Sequence, residues 1–489
     1  MQNISRLLRN NRLCYIIVII VYALCLYFVG RNILSAELWY DEAGQVFIAH
    51  GLNHWSEPMS PDGNLVDAFT ANHDYNQDPG GYTALLYFWC KISSNHIWLR
   101  LLSFFFFLGT IVFTCLISFQ ILNNKLLAFI SGLMVFALNG GNFAHEIRAY
   151  SMELCGVVYG IWMVLEFRKD SSIRKTILMA LGLCFFITAR YTMLVIGGIL
   201  SCFVVYELMM HYKDGLLTKS KLALLIAIYS VPLLITVFII WKYQMAYQNP
   251  DAKSLSYIQY IQGGKFLILY IALAIISLMT WRWQNDSCKL LITIFVIINA
   301  AFLFLGALSI LPWNISGNKG AVFMLLLNIT IFNCCTNVLM KNTRIFPYLT
   351  YLVLLGWTAY MLVIKHVGIA NISRDGFRVS QIESALKNGE GPIYVSSWNS
   401  PEVRYLYEYG VLKDKVTSDN YPERFIFLKR DKHCVGIKKK NFKKINACTL
   451  ESLPVGTVVY LTNTYTDSVP NSYFEFEKGL YIKLFFNRH

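Results

Sequence analysis

The sequence predicts an all-α polytopic membrane domain followed by a small α/β domain, and three observations carry that prediction. Of 489 residues, 56% are hydrophobic, 15% aromatic and only 15% charged. A soluble chain of this length could not cover so much apolar surface with so few charges. The apolar residues fall into runs close to the ~20 residues that cross ~30 Å of hydrocarbon. From about residue 366 onward the pattern changes to short β-branched stretches and polar turns. The chain therefore divides into a transmembrane domain, 1–365, which includes a long first loop at 31–97, and a water-facing α/β domain, 366–489.

Roughly eleven spans are expected by length and hydropathy: 13–30, 98–119, 125–142, 149–167, 176–188, 191–210, 222–241, 265–281, 289–311, 320–340 and 346–364. No small-x-small cleavage site follows the first, so it reads as an anchor and not as a cleavable signal. Lys and Arg set the orientation. With the N-terminus in the cytoplasm, the inner loops hold Arg6, Arg9, Arg12, Lys125, Arg168, Lys169, Arg174, Lys175, Lys213, Lys219, Lys221, Arg282, Lys289, Lys341 and Arg344. The outer loops are poorer in both, which is the positive-inside asymmetry. It accounts for much of the net charge of +14 without nucleic acid. An odd number of spans then puts the C-terminal domain outside the cytoplasm.

Residues 176–210 form an apolar stretch that would be about 50 Å long as one straight helix. Arg190 interrupts it, and both flanks are basic, at Arg174-Lys175 and Lys213. Equal flanks require an even number of crossings, so two short helices meeting near Arg190 are expected; one long tilted helix is the alternative.

In the C-terminal domain, 392–397 and 455–462 read as strands. A helix begins at Pro401, with Asn399 or Ser400 as its cap. No Gly-rich phosphate loop is present. Ten of the twelve cysteines lie in or near apolar spans, where Cys acts as a small hydrophobe. Cys434 and Cys448 do not; in an oxidising compartment they form a candidate disulfide around a lysine-rich loop, the alternative being two free thiols. No Cys/His spacing suggests zinc.

Chemistry is expected in the polar loops. Asp41 and Glu42 open a short helix running to about His50. Their carboxylates could simply complement its dipole, or one could act as a general base at the membrane surface. Adjacent helical residues point about 100° apart, so the two cannot share one role. Asp78 fits an N-cap with Pro79 at the first helical position, and Tyr82, Leu85, Leu86 and Trp89 form one stripe of the helix that follows. Gly80 and Gly81 would let this backbone approach a neighbour closely. His73, Asp74 and Asp78 are weak candidates for a divalent cation or a sugar hydroxyl, against the reading as solvated loop residues. The turn His145-Glu146-Ile147-Arg148-Ala149-Tyr150 gathers titratable groups at the end of apolar helices, where they are costly without water, ligand or one another. Glu146 and Tyr150 join the acceptor candidates. Arg148 could grip a phosphate with its two-pronged guanidinium or pair internally with Glu146 or Glu153. Arg190 and Lys319 are further phosphate candidates, each also readable as an interfacial anchor.

The acidic pair after the first span, the Asp-Pro entry to a juxtamembrane helix, the Glu-x-Arg-x-Tyr-Ser turn and the extracytoplasmic tail together resemble the membrane glycosyltransferases of the GT-C class. That class includes protein O-mannosyltransferases, aminoarabinose transferases of lipid A and phage-type O-antigen glucosyltransferases. The resemblance covers the chain to about residue 365, and Gly391–Tyr409 is similar to a strand–helix unit in their tails. Two departures stand out: Pro79-Gly80 replaces a frequent double proline, and no late Arg-Tyr pair lies around Asn318-Lys319.

The resemblance implies an inverting transfer of a hexose, glucose first among the candidates, from undecaprenyl phosphate to an O-antigen or related surface polysaccharide. It places the enzyme in a bacterial inner membrane, N-terminus cytoplasmic and C-terminal domain periplasmic. Asp41 or Glu42 would take the acceptor proton, and Arg148, with Arg190 or Lys319, would stabilise the phosphate leaving group. No cofactor is required, and a divalent cation is compatible with this chemistry. The tail residues Trp398, Arg404 and Tyr405 would help hold the acceptor. Alternatives are a transferase of the same class acting on lipid A or protein, and a transporter or flippase of lipid-linked sugars, which would show broken helices near mid-membrane.

Overall fold

The computed structural model describes residues 11–34, 38–52, 62–76, 78–244, 280–308, 320–342, 393–395, 400–411, 425–427, 458–462, 473–478 and 482–487. Each span expected within them is a helix: α1 (Asn11–Ile33), and, after the short loop helices α2 (Tyr40–Ala49), α3 (Leu65–Tyr75) and α4 (Gly81–Cys90), α5 (His96–Leu122), α6 (Lys125–Leu133), α7 (Tyr150–Lys169), α8 (Ile173–Ile187), α9 (Tyr191–Lys213), α10 (Lys219–Gln244), α11 (Asp286–Ala307) and α12 (Ala321–Asn342). The span at 346–364, and nearly all of that at 265–281, lies outside the described residues, as do Lys319, Trp398, Cys434 and Cys448.

Six of the described helices are long and apolar enough to cross a membrane: α5, α7, α9, α10, α11 and α12. The helix expected at 125–142 is only half α-helical, since α6 passes into a 3-10 run at Met134–Ala144. The stretch at 176–210 is two helices, with the break at Thr188–Arg190. The two short helices expected to meet near Arg190 are therefore present, and Arg190 has partners at the break.

Two compact units account for the chain: residues 1–32, 72–85 and 100–370 form one, and residues 33–71, 86–99 and 371–489 the other. The contiguous division expected at 365 differs, since it leaves the first loop with the membrane helices.

In the first unit α7 is the hub. It packs against α8, α9, α11 and α12, and its apolar window is 83% buried. By contrast α10 is 22% buried and turns Leu234, Ile235, Phe238 and Trp241 outward, the surface of a lipid-facing helix. Small residues let the hub close up. A Cβ on Gly156 would lie 2.6 Å from Phe186 Cβ, and one on Gly160 2.5 Å from Leu200 Cδ1.

In the second unit α2 packs against a tail helix, α13 (Ser400–Glu408). The turn between α4 and α5 is clamped by Trp89 and Trp98. Their rings stack 4.3 Å apart, and each indole N–H donates to the other's backbone carbonyl, at 2.7 and 3.0 Å. The tail also holds a five-stranded sheet of β1 (Ile393–Val395), β2 (Phe425–Phe427), β3 (Val458–Thr462), β4 (Tyr473–Lys478) and β5 (Ile482–Asn487), in the order β2-β1-β3-β5-β4. β1 runs parallel to β2 and β3; β5 pairs antiparallel with β3 and β4. Parallel neighbours need a crossover, and α13 lies on the one from β1 to β2. This is the mixed α/β domain expected from the sequence, with a helix beginning at Ser400-Pro401 as its capping signal indicates.

Candidate active site

Polar side chains collect in two places, one in each unit. In the second unit α2 carries Asp41 and Glu42 in its first turn. Glu42 is buried, and its Oε2 accepts the Trp39 N–H at 3.2 Å. The carboxylate thus satisfies a donor that the helix itself leaves open. Asp41, one position earlier and about 100° around the helix, is half-exposed. The pair expected from the sequence is therefore divided: one acid fixes the helix end and the other stands at its surface.

In the first unit Arg190 occupies the break between α8 and α9. Its Nη1 lies 2.9 Å from Glu153 Oε2, in the first turn of α7, and its Nε 3.3 Å from Asp78 Oδ1. Thr192 Oγ1 donates to the other oxygen of Glu153. The Tyr150 ring lies under both guanidiniums, with Arg190 4.7 Å and Arg148 5.9 Å from its centroid. Glu146 and His145 are buried, and Ser103 Oγ bridges the Glu146 carbonyl to Tyr82 OH.

Asn72 extends this network. Its amide donates to the Asp78 carbonyl at 2.8 Å and to Gln244 Oε1 at 2.9 Å. Its oxygen accepts from Thr83 Oγ1 and Asn76 Nδ2. Asn72 is fully buried with its hydrogen-bonding capacity filled, which rigidifies the ends of α3, α4 and α10.

Several expected roles change. Asp78 does not begin α4, which starts at Gly81; it is drawn into the ion pair with Arg190. Glu153, offered as a partner for Arg148, pairs with Arg190, whose fork is shared between two carboxylates. His73 and Asp74 bond one another at 2.8 Å on a partly exposed surface, apart from these partners. Arg404 and Tyr405, expected to face an acceptor, are buried, because α13 turns that face against α2. Among the described residues no group of three or more His, Cys, Asp or Glu side chains could hold a metal ion.

Sequence reasoning passed over Asn72 and a cluster made by His50, Asp62, Ser94 and Tyr409. None belongs to a motif, and the members come from distant stretches of chain. The one available signal was composition: a buried His and Asn are rare without partners.

Comparison with solved structures fixes the architecture. ArnT from Cupriavidus metallidurans bound to undecaprenyl phosphate superposes with a TM-score of 0.52 at 11% identity, over 96% of this chain and 98% of that one. The fold is that of a GT-C polytopic membrane protein. The apo structure of the same protein gives a TM-score of 0.48 at 12% identity, over 96% and 97% of the two chains. A scan of protein families finds no match, and neither does a search of curated proteins. In this GT-C fold the acid pair sits on the first loop, and the Arg148 and Arg190 clusters lie where helices of the membrane unit end.

Proposed function

We propose that the protein is an inverting glycosyltransferase that moves a hexose, glucose first, from undecaprenyl phosphate to an O-antigen or related surface polysaccharide at the periplasmic face of a bacterial inner membrane. The observation that carries this reading is the division of labour at α2: Glu42 locks the helix end, and Asp41 is left accessible on a firmly held turn. A general base needs access to its proton and a fixed position, and Asp41 has both. The fold supports the donor class, since the ArnT structure that shares it holds undecaprenyl phosphate.

In this mechanism Asp41 takes the acceptor hydroxyl proton as that oxygen bonds to the anomeric carbon. The anomeric carbon–oxygen bond breaks, and its electron pair leaves with the lipid phosphate. Attack opposite the departing phosphate inverts the anomeric centre. Positive charge is needed where the phosphate gains negative charge. Arg148, with Arg190 or Lys319, is the candidate for that charge. A divalent cation is an optional partner. The orientation with N-terminus inside and tail outside follows from the distribution of Lys and Arg.

The test offers purified full-length protein, in lipid, undecaprenyl-phosphate glucose and lipopolysaccharide acceptor. Lipid A and a protein substrate run as parallel acceptors, which separates the other members of the class. Transfer is expected with the polysaccharide, and Asp41→Asn should lower it by about 10²-fold or more at equal protein level. Undiminished transfer by that variant removes the base and with it the mechanism.

A flippase of lipid-linked sugars is the second reading, favoured by the 3-10 run that breaks the α6 segment, since transporters use discontinuous helices. Donor lipid crossing a vesicle membrane with no sugar transferred would establish it instead.

A further inference from the structure

His50 closes α2 at the end opposite Asp41, and four contacts converge on it and its surroundings. Its Nδ1 lies 2.9 Å from Asp62 Oδ2, and its Nε2 3.1 Å from Ser94 Oγ. The Tyr409 ring stacks on the imidazole at 4.2 Å, with the planes only 14° apart. Tyr409 OH donates to the remaining oxygen of Asp62 at 2.8 Å. One turn earlier on the tail helix, Tyr405 OH donates to the Ser94 carbonyl at 2.9 Å. Arg404 covers the Phe47 ring of α2 at 4.5 Å, its charge met by Glu408 at 3.1 Å. Three tail side chains thus grip three separate stretches of the first loop, at 47–50, 62 and 94. Every one of these contacts lies within the second unit.

We infer that Tyr409 is a positioning residue for the proposed reaction, acting through His50 to hold the helix that carries Asp41. The inference rests on the reading of Asp41 as the base. A ten-residue helix is marginal in water on its own, so α2 takes its rigidity from what it packs against. Its start is fixed by Glu42, its side by Arg404, and its end by His50. The His50 ring can neither turn nor slide without breaking bonds to Asp62 and Ser94 and leaving the Tyr409 face. Rotation of α2 would carry Asp41 away from the acceptor oxygen, and displacements near 1 Å cost about 10²-fold in rate. The order Ser94–His50–Asp62 also has the atom sequence of a nucleophilic triad. Here each member is tied to the tail, to Tyr405 or Tyr409, which makes the group a brace between two parts of the chain.

The experiment uses the full-length protein with Tyr409→Ala, Tyr409→Phe and Ser94→Ala, measured in two ways. Hydrogen exchange should rise in residues 40–52 of Tyr409→Ala and stay unchanged in the membrane helices. In the transfer assay Tyr409→Ala should lower kcat by roughly 10- to 100-fold with KM for undecaprenyl-phosphate glucose unchanged, and Tyr409→Phe, which keeps the stack, should recover most of the loss. Unchanged exchange at 40–52 overturns the brace. Raised exchange with full transfer activity overturns the positioning role, whereas failure of the base itself is read separately, from undiminished transfer by Asp41→Asn. A Ser94→Ala variant more damaged in transfer than Tyr409→Ala, with exchange unaltered, would make Ser94 a nucleophile and overturn the positioning role.

Discussion

Arg190 brings one positive charge to a place where two carboxylates meet it. Glu153 is 37 positions away and Asp78 112 positions away. The charge was legible in the sequence as the point where an apolar stretch must break, because basic flanks at both ends demanded a turn there. Its partners were not legible, since nothing in a linear pattern connects three residues so far apart. The same limit applies at α2. Adjacency alone shows that Asp41 and Glu42 differ in role, but the Trp39 N–H decides which one is buried. Removing one member of a buried ion pair leaves an uncompensated charge and costs about 3–5 kcal/mol. Arg190→Gln is therefore expected to lower the melting temperature of the detergent-purified protein sharply. Combining it with Glu153→Gln should return part of the loss. Arg148→Gln should lower sugar transfer at equal protein level. Equal melting temperatures for Arg190→Gln and wild type would show that the Arg190 pairs contribute nothing to stability.

At the scale of elements, apolar length made the long helices readable, and each expected span within the described residues is helical. The short helix α3 escapes a hydropathy argument, since LVDAFTANHDY is too polar for one. Its signal was nonetheless present as an Asn-x-x-Asp start: Asn64 Oδ1 accepts from Val66 N–H at 2.8 Å, and Asp67 Oδ2 accepts from Asn64 N–H at 2.8 Å. The reciprocal arrangement is a capping box with Asp in the third position. The glycines at the start of α4 permit close approach, and Gly81 N–H donates to the Thr188 carbonyl at 3.0 Å. A Cβ there would overlap the Thr188 side chain, its Oγ1 and Cβ, and lie 2.9 Å from the same carbonyl oxygen, which is backbone and cannot swing aside. Gly81→Ala must push α4 off the α8–α9 break, at an overpacking cost of about 1–3 kcal/mol. A loss of that size should appear as a lower melting temperature, and Thr188→Gly should return only part of it, because the side-chain overlap goes but the carbonyl oxygen remains.

At the scale of the whole molecule, hydropathy separates a membrane part from a polar tail, yet the second unit joins that tail to pieces of the first loop. Composition cannot reveal such an alliance, because α2 and α13 are about 350 residues apart and neither is unusual alone. What joins them is chemistry at Asp62. Its carboxyl is held below the ordinary value of 3.8, first by the hydrogen bond from His50, with burial opposing, then by the charge of His50, the Tyr409 O–H and Lys91. A carboxyl whose value is lowered in the folded state stabilises that state fully above 3.8 and loses its contribution as pH falls through the lowered value. Docking of α13 on α2 should therefore hold from neutral pH down to the ordinary carboxylate range and weaken below it. Tyr409 presents its O–H throughout, since burial and the Asp62 charge push its own titration upward. Limited proteolysis with an acid-active protease reads this directly, by the rate of cleavage within 400–411 as pH is lowered through the carboxylate range. Asp62→Asn should raise cleavage already at the upper end of that range and remove the acid-dependent step. An identical acid step in Asp62→Asn and wild type would mean that another group governs the docking of the tail.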